Sequence, residues 1–141
     1  MAVFEIPTKQ LLNIVTPERN LVCESVDEVV LPGSDGCLGS LPGHTPLLTS
    51  LRIGEIKYRV GAKWHHLCVF WGFAEVLPGS VTVLADSAEK PEEIDVERAE
   101  KDAEEARLRL KKPESDFREA QAALEQALAR LQVAAEAGAG A

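Results

Sequence analysis

The sequence predicts an α+β fold in which an N-terminal antiparallel β-sandwich is followed by a C-terminal antiparallel two-helix hairpin. Two observations support this prediction. Between Val3 and Asp86, short runs rich in β-branched and aromatic residues alternate with turn residues, which is typical of a sandwich or flattened barrel. After Ala88 the chain is rich in Ala, Glu, Arg and Leu, and its apolar residues recur every three or four positions, which is typical of amphipathic helices.

The sandwich half contains short strand-like runs that predict eight to ten strands. In the run EIKYRV, apolar residues alternate with Lys57 and Arg59, so one face of that strand is expected to be solvated. Turn signals separate the runs at Thr16-Pro17, Pro32-Gly33, Gly61-Ala62 and Pro78-Gly79. The predicted strands are, in order, VFEI, QLLNIV, SVDEVVL, LLTSL, EIKYRV, WHHLCVFW, AEVL and SVTVLA.

The helical half divides in two at the sequence Lys112 to Ser115, where Pro113 disfavours helix in the residue before it. Ser115 or Asp116 is the expected cap of the second helix. We therefore predict a sandwich at residues 1–86, a linker at 87–93, a helical hairpin at 94–136 and a flexible tail at 137–141. The expected seam residues are Val96, Ala99, Ala103, Ala106 and Leu110 in the first helix, and Phe117, Ala120, Leu124, Ala127, Leu131 and Ala134 in the second.

These seams are rich in alanine, which buries little apolar area at roughly 25 cal/mol per Å². A marginally stable hairpin joined to a rigid sandwich is a plausible two-state element, docked on the sandwich or opened toward a partner. The alternative is a simple coiled-coil appendage without a switching role.

Net charge, apolar runs and cysteine spacing argue against several classes of function. The formal net charge of −8 disfavours nucleic-acid binding. The chain has no run of about 18 apolar residues and begins with no signal-peptide pattern, so we expect neither a membrane span nor export. Its three cysteines, Cys23, Cys37 and Cys68, form no CxxC pair and are expected to be reduced thiols in the cytoplasm.

We expect no catalytic or metal site, because no nucleophile with its base and no ligand cluster can be assembled from the sequence. His65 and His66 are neighbours in a strand pattern and point to opposite faces, so they cannot bind one metal ion together. His44 lies between prolines in a Gly-rich segment, where it is either a turn residue bonded to its own loop or part of a protein-docking surface. No Walker-type phosphate loop is present.

Two segments carry a resemblance to a known family: GSDGCLGSLPGHTPLLTSLRIGEI, from Gly33 to Ile56, and FWGFAEVLPGSVTVLAD, from Phe70 to Asp86. Followed by an Ala- and Glu-rich tail, they resemble the epsilon subunit of F-type ATP synthases, of the bacterial type. The resemblance implies a non-catalytic rotor subunit whose sandwich binds the gamma subunit. It also implies a peripheral position on the cytoplasmic face of the bacterial plasma membrane, reached only through the complex.

The same resemblance implies two docking turns for the c-ring, formed by Ser34, Asp35, Gly36 and Cys37 and by Gly43 and His44. Many relatives carry an acidic residue where this chain has Cys37, so one contact with the ring is expected to be missing. Asp35 is the remaining acceptor for basic ring loops.

In the family, the hairpin brakes ATP hydrolysis by extending into the alpha/beta catalytic hexamer. Some relatives favour its folded state by binding ATP through a motif of the form [IL]DxxRA, which residues 94–99 match. The resemblance assigns phosphate to Arg98 and adenine or ribose to Asp95 and Glu89, with Ala99 and Arg130 completing the site. Asp95 near a helix start and Arg98 beside neighbouring acids are also ordinary features of a helix.

Relatives that bind ATP well carry further arginines at positions where this chain has Glu105 and Gln126. We therefore expect no required cofactor and at most weak regulatory binding of ATP. The expected inhibitory contacts are Arg118 and Arg130. Two alternative functions remain at the level of sequence: a free-standing interaction adaptor with a coiled-coil tail, and a small ATP-sensing module that uses Arg98.

Overall fold

A computed structural model describes residues 6–112 and 116–139, and it confirms a strand-rich sandwich followed by two helices. Within these residues a short 3₁₀ helix, Pro91–Glu93, joins the two parts. The strands are β1 Gln10–Val15, β2 Asn20–Val26, β3 Glu28–Gly33, β4 Gly36–Ser40, β5 Leu47–Leu51, β6 Gly54–Val60, β7 Lys63–Leu77 and β8 Ser80–Glu89. The helices are α1 Val96–Leu110 and α2 Phe117–Ala139.

The strands hydrogen-bond in the order β2-β1-β8-β7-β5-β3-β4, and β6 bridges β3 and β7. Strands β1 and β8 run parallel, whereas the other pairs in the described part of the chain are antiparallel. The long strand β7 pairs with β6 in its first half and with β5 in its second half. It therefore passes through both layers of the sandwich. The largest fully buried core residues include Leu12, Ile14, Leu31, Ile56, Val69, Val76 and Val83.

Strand β7 bends at Trp71 and Gly72, where it changes partner. Trp71 has a φ of 58° and Gly72 has a φ of 151°. The angle at Gly72 is accessible to glycine but strained for other residues. A Cβ atom on Gly72 would lie 2.4 Å from the carbonyl oxygen of Leu84. Before the bend Leu67 and Val69 face the sandwich core, and after it Ala74 and Val76 do, so the bend changes which alternate positions face that core.

Several strand predictions were wrong in their bounds. WHHLCVFW and AEVL form the single strand β7, because the bend keeps the backbone paired with β8 on both sides of Trp71. The run GCLGS, of which Gly36 and Cys37 were expected in a docking turn, is strand β4, since it pairs with β3 from Gly36 to Ser40. The run SVDEVVL is divided between β2 and β3. Of VFEI, only Ile6 lies among the described residues, and it is not in a strand.

Both helices begin at an aspartate cap. The Asp95 carboxylate accepts a hydrogen bond from the backbone N–H of Arg98 at 3.2 Å. The Asp116 carboxylate accepts from the backbone N–H groups of Arg118 and Glu119 at 3.1 and 3.3 Å. Such caps satisfy donors that have no partner inside the helix. Asp116 is thus the cap of α2, and the other candidate, Ser115, lies outside the described residues.

The hairpin is docked on the sandwich. The two helices pack along the alanines of their expected seam, where Ala99, Ala103 and Ala106 of α1 and Ala120 and Ala127 of α2 are buried. The prediction was wrong for Val96 and Phe117, which begin the two helices and are 42% and 61% exposed. A second apolar face of α2 contacts the sandwich, and the sequence analysis did not identify it. Its cluster consists of Ala129 and Val133 with Ile53, Cys68 and Phe70.

Among the described residues, no helix is long and apolar enough to cross a membrane.

Candidate functional site

A cleft of about 270 Å³ lies where the end of β8 and the following linker meet both helices of the hairpin. The structure brings together there all the residues that the sequence analysis assigned to ATP. They are Glu89, Asp95, Arg98, Ala99 and Arg130, and the cleft is also lined by Glu93 and Asp102. Residues from three separate parts of the chain therefore converge on one surface that could hold a small ligand.

Arg130 of α2 forms a two-point ion pair with Glu89 of β8. Its Nε lies 2.7 Å from Oε1 and its Nη2 lies 3.0 Å from Oε2. The guanidinium group also lies 4.8 Å above the ring of Phe70. Hydrogen bonding to Glu89 is the main reason that the pKa of Arg130 is raised above its usual value. Any phosphate that uses Arg130 must therefore compete with Glu89.

Arg98 differs from Arg130 in its surroundings. It lies in the first turn of α1, fixed there by the Asp95 cap. Its guanidinium group has no ion-pair partner in the part of the chain that the structure describes, so it is the cleft cation available to an anionic ligand. Asp102 adds a fourth carboxylate to the cleft, against two guanidinium groups, and this excess of negative charge disfavours phosphate.

Glu105 and Gln126 stand at positions where strong ATP binders of the resembled family carry arginine. Neither is among the residues that line the cleft. The sequence analysis attributed weakened phosphate binding to the missing arginines, and it did not consider Asp102. Asp102 could have been predicted from the sequence, because it lies four positions after Arg98 and therefore on the same face of α1.

The linker that carries the cleft is itself fixed to the sandwich. Arg19, in the turn between β1 and β2, lies 2.6 Å from the Glu93 carboxylate and 3.4 Å from the Ala88 carbonyl oxygen. The hydrogen bond from Arg19 lowers the pKa of Glu93. The Arg19 side chain is partly exposed to solvent. The start of α1 is thereby held close to the end of β8.

The two expected docking turns lie at opposite ends of β4. Ser34 and Asp35 form the turn between β3 and β4, and Gly36 and Cys37 are the first residues of β4. Gly43 and His44 follow β4 after its last residue, Ser40. With about 3.4 Å per residue, the five-residue strand β4 separates the turns by roughly 14 Å.

Each of these turns is fixed by different neighbours. The Ser34 backbone N–H donates to the Ser50 carbonyl oxygen at 3.0 Å. The Gly43 N–H donates to the Pro78 carbonyl oxygen at 2.8 Å, and the His44 ring contacts the carbonyl oxygen of the adjacent Thr45. His44 therefore has the bond to its own loop that one sequence interpretation described. Asp35 and Cys37 are both exposed, so each is accessible to a partner.

The outer face of β1, β5, β7 and β8 carries an apolar surface that the sequence analysis did not identify. Phe73 and Leu84 are directly paired across β7 and β8, and each is 58% exposed. Leu48 on β5 is 72% exposed, and Leu11, Trp71 and Leu77 are also exposed. We call these six residues the apolar face. The sequence could have indicated this face, because β7 and β8 carry large apolar residues at outward positions as well as at inward ones.

The two arginines expected to make inhibitory contacts lie in different settings. Arg118 is exposed in the first turn of α2, whereas Arg130 is bonded to Glu89. Of these two arginines, only Arg118 is exposed to solvent while the hairpin is docked.

Comparisons with known proteins match both halves of the chain. Residues 10–91 match the family model described as ATP synthase, Delta/Epsilon chain, beta-sandwich domain, and residues 92–135 match the model described as ATP synthase, Delta/Epsilon chain, long alpha-helix domain. An ATP synthase epsilon chain of Syntrophobacter fumaroxidans is 49% identical over 125 residues, covering 87% of this chain and 93% of its own. One of Geotalea daltonii is 46% identical over 133 residues, covering 92% and 96%.

Solved structures give the same result for the fold. A chain in the cryo-EM structure of the Euglena gracilis mitochondrial ATP synthase, which contains OSCP, F1 and the c-ring, superposes with a TM-score of 0.82 at 27% identity. The match covers 98% of this chain and 86% of that one. A central stalk and c-ring structure of the Tetrahymena thermophila enzyme shares the fold at a TM-score of 0.52 and 12% identity, covering 94% of this chain and 98% of that one. The chain thus belongs to the ATP synthase delta/epsilon chain family.

Proposed function

We propose that this chain is a non-catalytic central-stalk subunit of a bacterial proton-translocating ATP synthase. In this role the sandwich links the gamma subunit to the c-ring for ATP synthesis, and the hairpin inhibits ATP hydrolysis when it leaves the sandwich. The subunit would lie at the cytoplasmic face of the plasma membrane, held there only through the complex. The family match over both halves supports this proposal over a free-standing adaptor.

The observation that carries the proposal is the apolar face. Phe73, Leu84 and Leu48 expose large side chains on strands that are otherwise well packed. Contiguous exposed apolar surface on a small domain is typical of a protein interface. The face lies on the second half of β7, whereas the hairpin docks on β6 and the first half of β7, so a gamma subunit can bind without displacing the hairpin.

Contact with the c-ring is assigned to the two turns at the ends of β4. Because these turns are roughly 14 Å apart along the strand, they would reach the ring as two separate contacts rather than one patch. At the first turn, Asp35 supplies the acceptor for a basic ring loop, and the thiol of Cys37 replaces the acidic side chain of many relatives. Loss of that charge would weaken the contact by about 1 kcal/mol or less, as for exposed ion pairs.

Release of the hairpin is energetically accessible in this arrangement. In the contact between α2 and the sandwich, Ala129 and Val133 pack on Ile53, Cys68 and Phe70. The Glu89–Arg130 pair and the contact of Glu136 with His66 lie beside this cluster. Burial of a valine side chain contributes about 1.5–3 kcal/mol, and an alanine contributes less. Because α2 contributes only small apolar side chains to this contact, a partner such as the alpha/beta hexamer could overcome it.

A regulatory role for ATP is a second candidate function, favoured by the cleft. A nucleotide there would contact β8, α1 and α2 at once, so it would bind the docked state better than the extended state. Arg98 is the proposed phosphate contact. We expect weak binding, because Arg130 is engaged by Glu89 and four carboxylates line the cleft. Titration of the isolated chain with ATP, and of Arg98→Ala as the control, tests this role.

The main test uses an ATP synthase complex depleted of this subunit. The full chain and a chain that stops after Glu93 are added back in parallel, and ATP hydrolysis and copurification with gamma are measured. The proposal expects both chains to copurify with gamma and only the full chain to slow hydrolysis. Equal inhibition by both chains would exclude the hairpin as the brake, and failure of the full chain to bind gamma would exclude the stalk role.

A further inference from the structure

Three side chains that can bind metal meet at the interface between the sandwich and α2. Glu55 comes from β6, His66 from β7 and Glu136 from α2. His66 Nδ1 lies 3.4 Å from Oε2 of Glu55 and 3.4 Å from Oε2 of Glu136. One ligand atom from each of the three residues lies within 4.8 Å of the other two. We call these residues the interface cluster.

The strand register explains why the two sandwich members meet. Glu55 lies opposite Cys68 and Lys57 lies opposite His66, so Glu55 and His66 are diagonal neighbours on one face of the β6–β7 pair. Docking of α2 over this face, where Val133 contacts the cluster around Cys68, then brings Glu136 to the same point. The sequence predicted no metal site because these residues converge only through strand pairing and docking.

The interface cluster contains polar atoms that the protein leaves without partners. The side chains of Glu55 and His66 are only 10% and 12% exposed. Within the described residues, Glu55 Oε2 and His66 Nδ1 are fully buried and accept or donate no hydrogen bond. Buried polar atoms without partners are rare in folded proteins, and a bound ion is one of their recognised explanations.

Lys57 compensates for only part of the charge of the two carboxylates. Lys57 lies in the same groove, but its ammonium group is placed over the ring of Trp64 at 5.3 Å. Gln132 donates a hydrogen bond to Oε1 of Glu136 at 3.3 Å, which leaves Oε2 directed at His66. A polar neighbour that orients a carboxylate in this way is common around metal ligands.

The two distances from His66 Nδ1 to the carboxylates fit a tetrahedral ion. Zinc binds His nitrogen and carboxylate oxygen at about 2.0–2.2 Å, and a tetrahedron of that size places its ligands about 3.3–3.6 Å apart. Both separations that involve His66 are 3.4 Å. Mg²⁺ and Ca²⁺ prefer oxygen ligands alone, so the imidazole selects against them. Glu136 is 42% exposed and lines an open groove, which gives an ion and a fourth, water ligand access to the site.

We propose that Glu55, His66 and Glu136 form a divalent-cation site, best suited to Zn²⁺, that fastens α2 to the sandwich. Because its ligands come from both parts, the ion would bind the docked hairpin and not the extended one, and would therefore favour docking. The binding itself is independent of the proposed function. Only its consequence, reduced inhibition of hydrolysis, depends on the hairpin being a brake.

The competing interpretation is a proton held in place of a metal ion. Burial and the neighbouring Glu136 carboxylate raise the pKa of Glu55 to about 8, whereas the pKa of Glu136 is lowered. A protonated Glu55 would relieve the repulsion between the carboxylates without any metal. The experiment must therefore distinguish an ion from a shared proton.

The test titrates the isolated full-length chain with Zn²⁺ by calorimetry, in a background carrying Cys23→Ser and Cys37→Ser so that the two exposed thiols do not bind the metal. We expect one ion per chain, a higher melting temperature with Zn²⁺, and at least tenfold weaker binding after Glu136→Gln. Glu125→Gln is the matched control, because Glu125 lies in the same helix and groove outside the interface cluster and should change the affinity less than twofold.

Two results would overturn the proposal. Absence of binding by the unsubstituted cluster at any Zn²⁺ concentration that leaves the protein soluble would assign the cluster to a shared proton. Equal affinity of the Glu136→Gln and Glu125→Gln variants would place the ion elsewhere. Circular dichroism of each variant, which should match that of the parent chain, shows that a loss of binding is not a loss of the fold.

Discussion

Arg130 in the second helix and Glu89 at the end of the last strand are joined by two charge-assisted hydrogen bonds, of 2.7 and 3.0 Å. Each side chain is 26% exposed, so the pair is more shielded than an ordinary surface ion pair. It lies beside the apolar contact of α2 with the sandwich, with the guanidinium group over Phe70. The pair is therefore positioned to determine how readily the hairpin leaves the sandwich.

Replacement of Arg130 by alanine should loosen the docked hairpin. We expect a loss of about 1–2 kcal/mol of docking free energy, between the values for exposed and buried charged hydrogen bonds. The measurement is the rate at which a thiol reagent modifies Cys68 in the isolated chain, which should rise roughly 5- to 30-fold. Arg118→Ala removes an exposed arginine from the same helix and should leave the rate unchanged.

Cys68 should report hairpin docking without any engineered probe. It is fully buried beneath Ala129 and Val133, and burial is the main reason that its pKa is raised to about 12. While the hairpin is docked, the reactive thiolate is therefore scarce at every pH below about 12.

When the hairpin leaves, the pKa of Cys68 should return toward its ordinary value, and labelling at pH 8 should accelerate. Cys23 and Cys37 are exposed and should react at once in both states. Mass spectrometry of the labelled chain separates the three sites. Equal labelling rates for Cys68 and Cys37 in the isolated chain would mean that the hairpin is not docked in solution.

Substitution of Phe73 or Leu84 in the apolar face should weaken gamma binding without unfolding the sandwich. Phe73→Ser and Leu84→Ser replace side chains that are exposed here and buried in the proposed interface. We expect at least tenfold weaker affinity for gamma from each. Leu41→Ser changes a similarly exposed leucine outside this face and should bind gamma as the parent chain does. Unimpaired binding by both serine variants would move the gamma interface elsewhere.

Gly72→Ala should destabilise the sandwich by several kcal/mol. The new Cβ would meet the Leu84 carbonyl oxygen at 2.4 Å, and the φ of 151° is strained for alanine. Gly39→Ala in β4 is the matched control, because a Cβ atom there meets nothing within 4 Å. Urea unfolding of both variants measures the difference. A Gly72→Ala midpoint close to that of Gly39→Ala would show that the bend can relax.

The fold class was predictable because its signals are local. Turn residues between short β-rich runs and the change of period after Ala88 each depend on neighbouring residues. The alanine seam between the helices was predictable for the same reason, and its residues Ala99, Ala103, Ala106, Ala120 and Ala127 are buried. The ATP-motif residues that the resemblance assigned also line one cleft, although binding of ATP there stays a prediction.

Features that depend on contacts distant in sequence could not be predicted. Ala129 and Val133 form a second face of α2 only because the sandwich presents Ile53, Cys68 and Phe70 to it. The sequence predicted two separate strands on either side of Trp71, because the bend there reverses the alternation of buried and exposed residues. In addition, the interface cluster joins residues 55, 66 and 136, and no sequence spacing links them.

The most direct test of the account is ATP hydrolysis by a subunit-depleted synthase to which either the natural chain or Glu89→Gln is added. This change weakens docking while the hairpin keeps its whole sequence, so contacts of the extended hairpin with the hexamer are unaffected. If the hairpin inhibits by leaving the sandwich, Glu89→Gln should inhibit hydrolysis more strongly than the natural chain at equal binding to gamma. Equal or weaker inhibition would contradict the account.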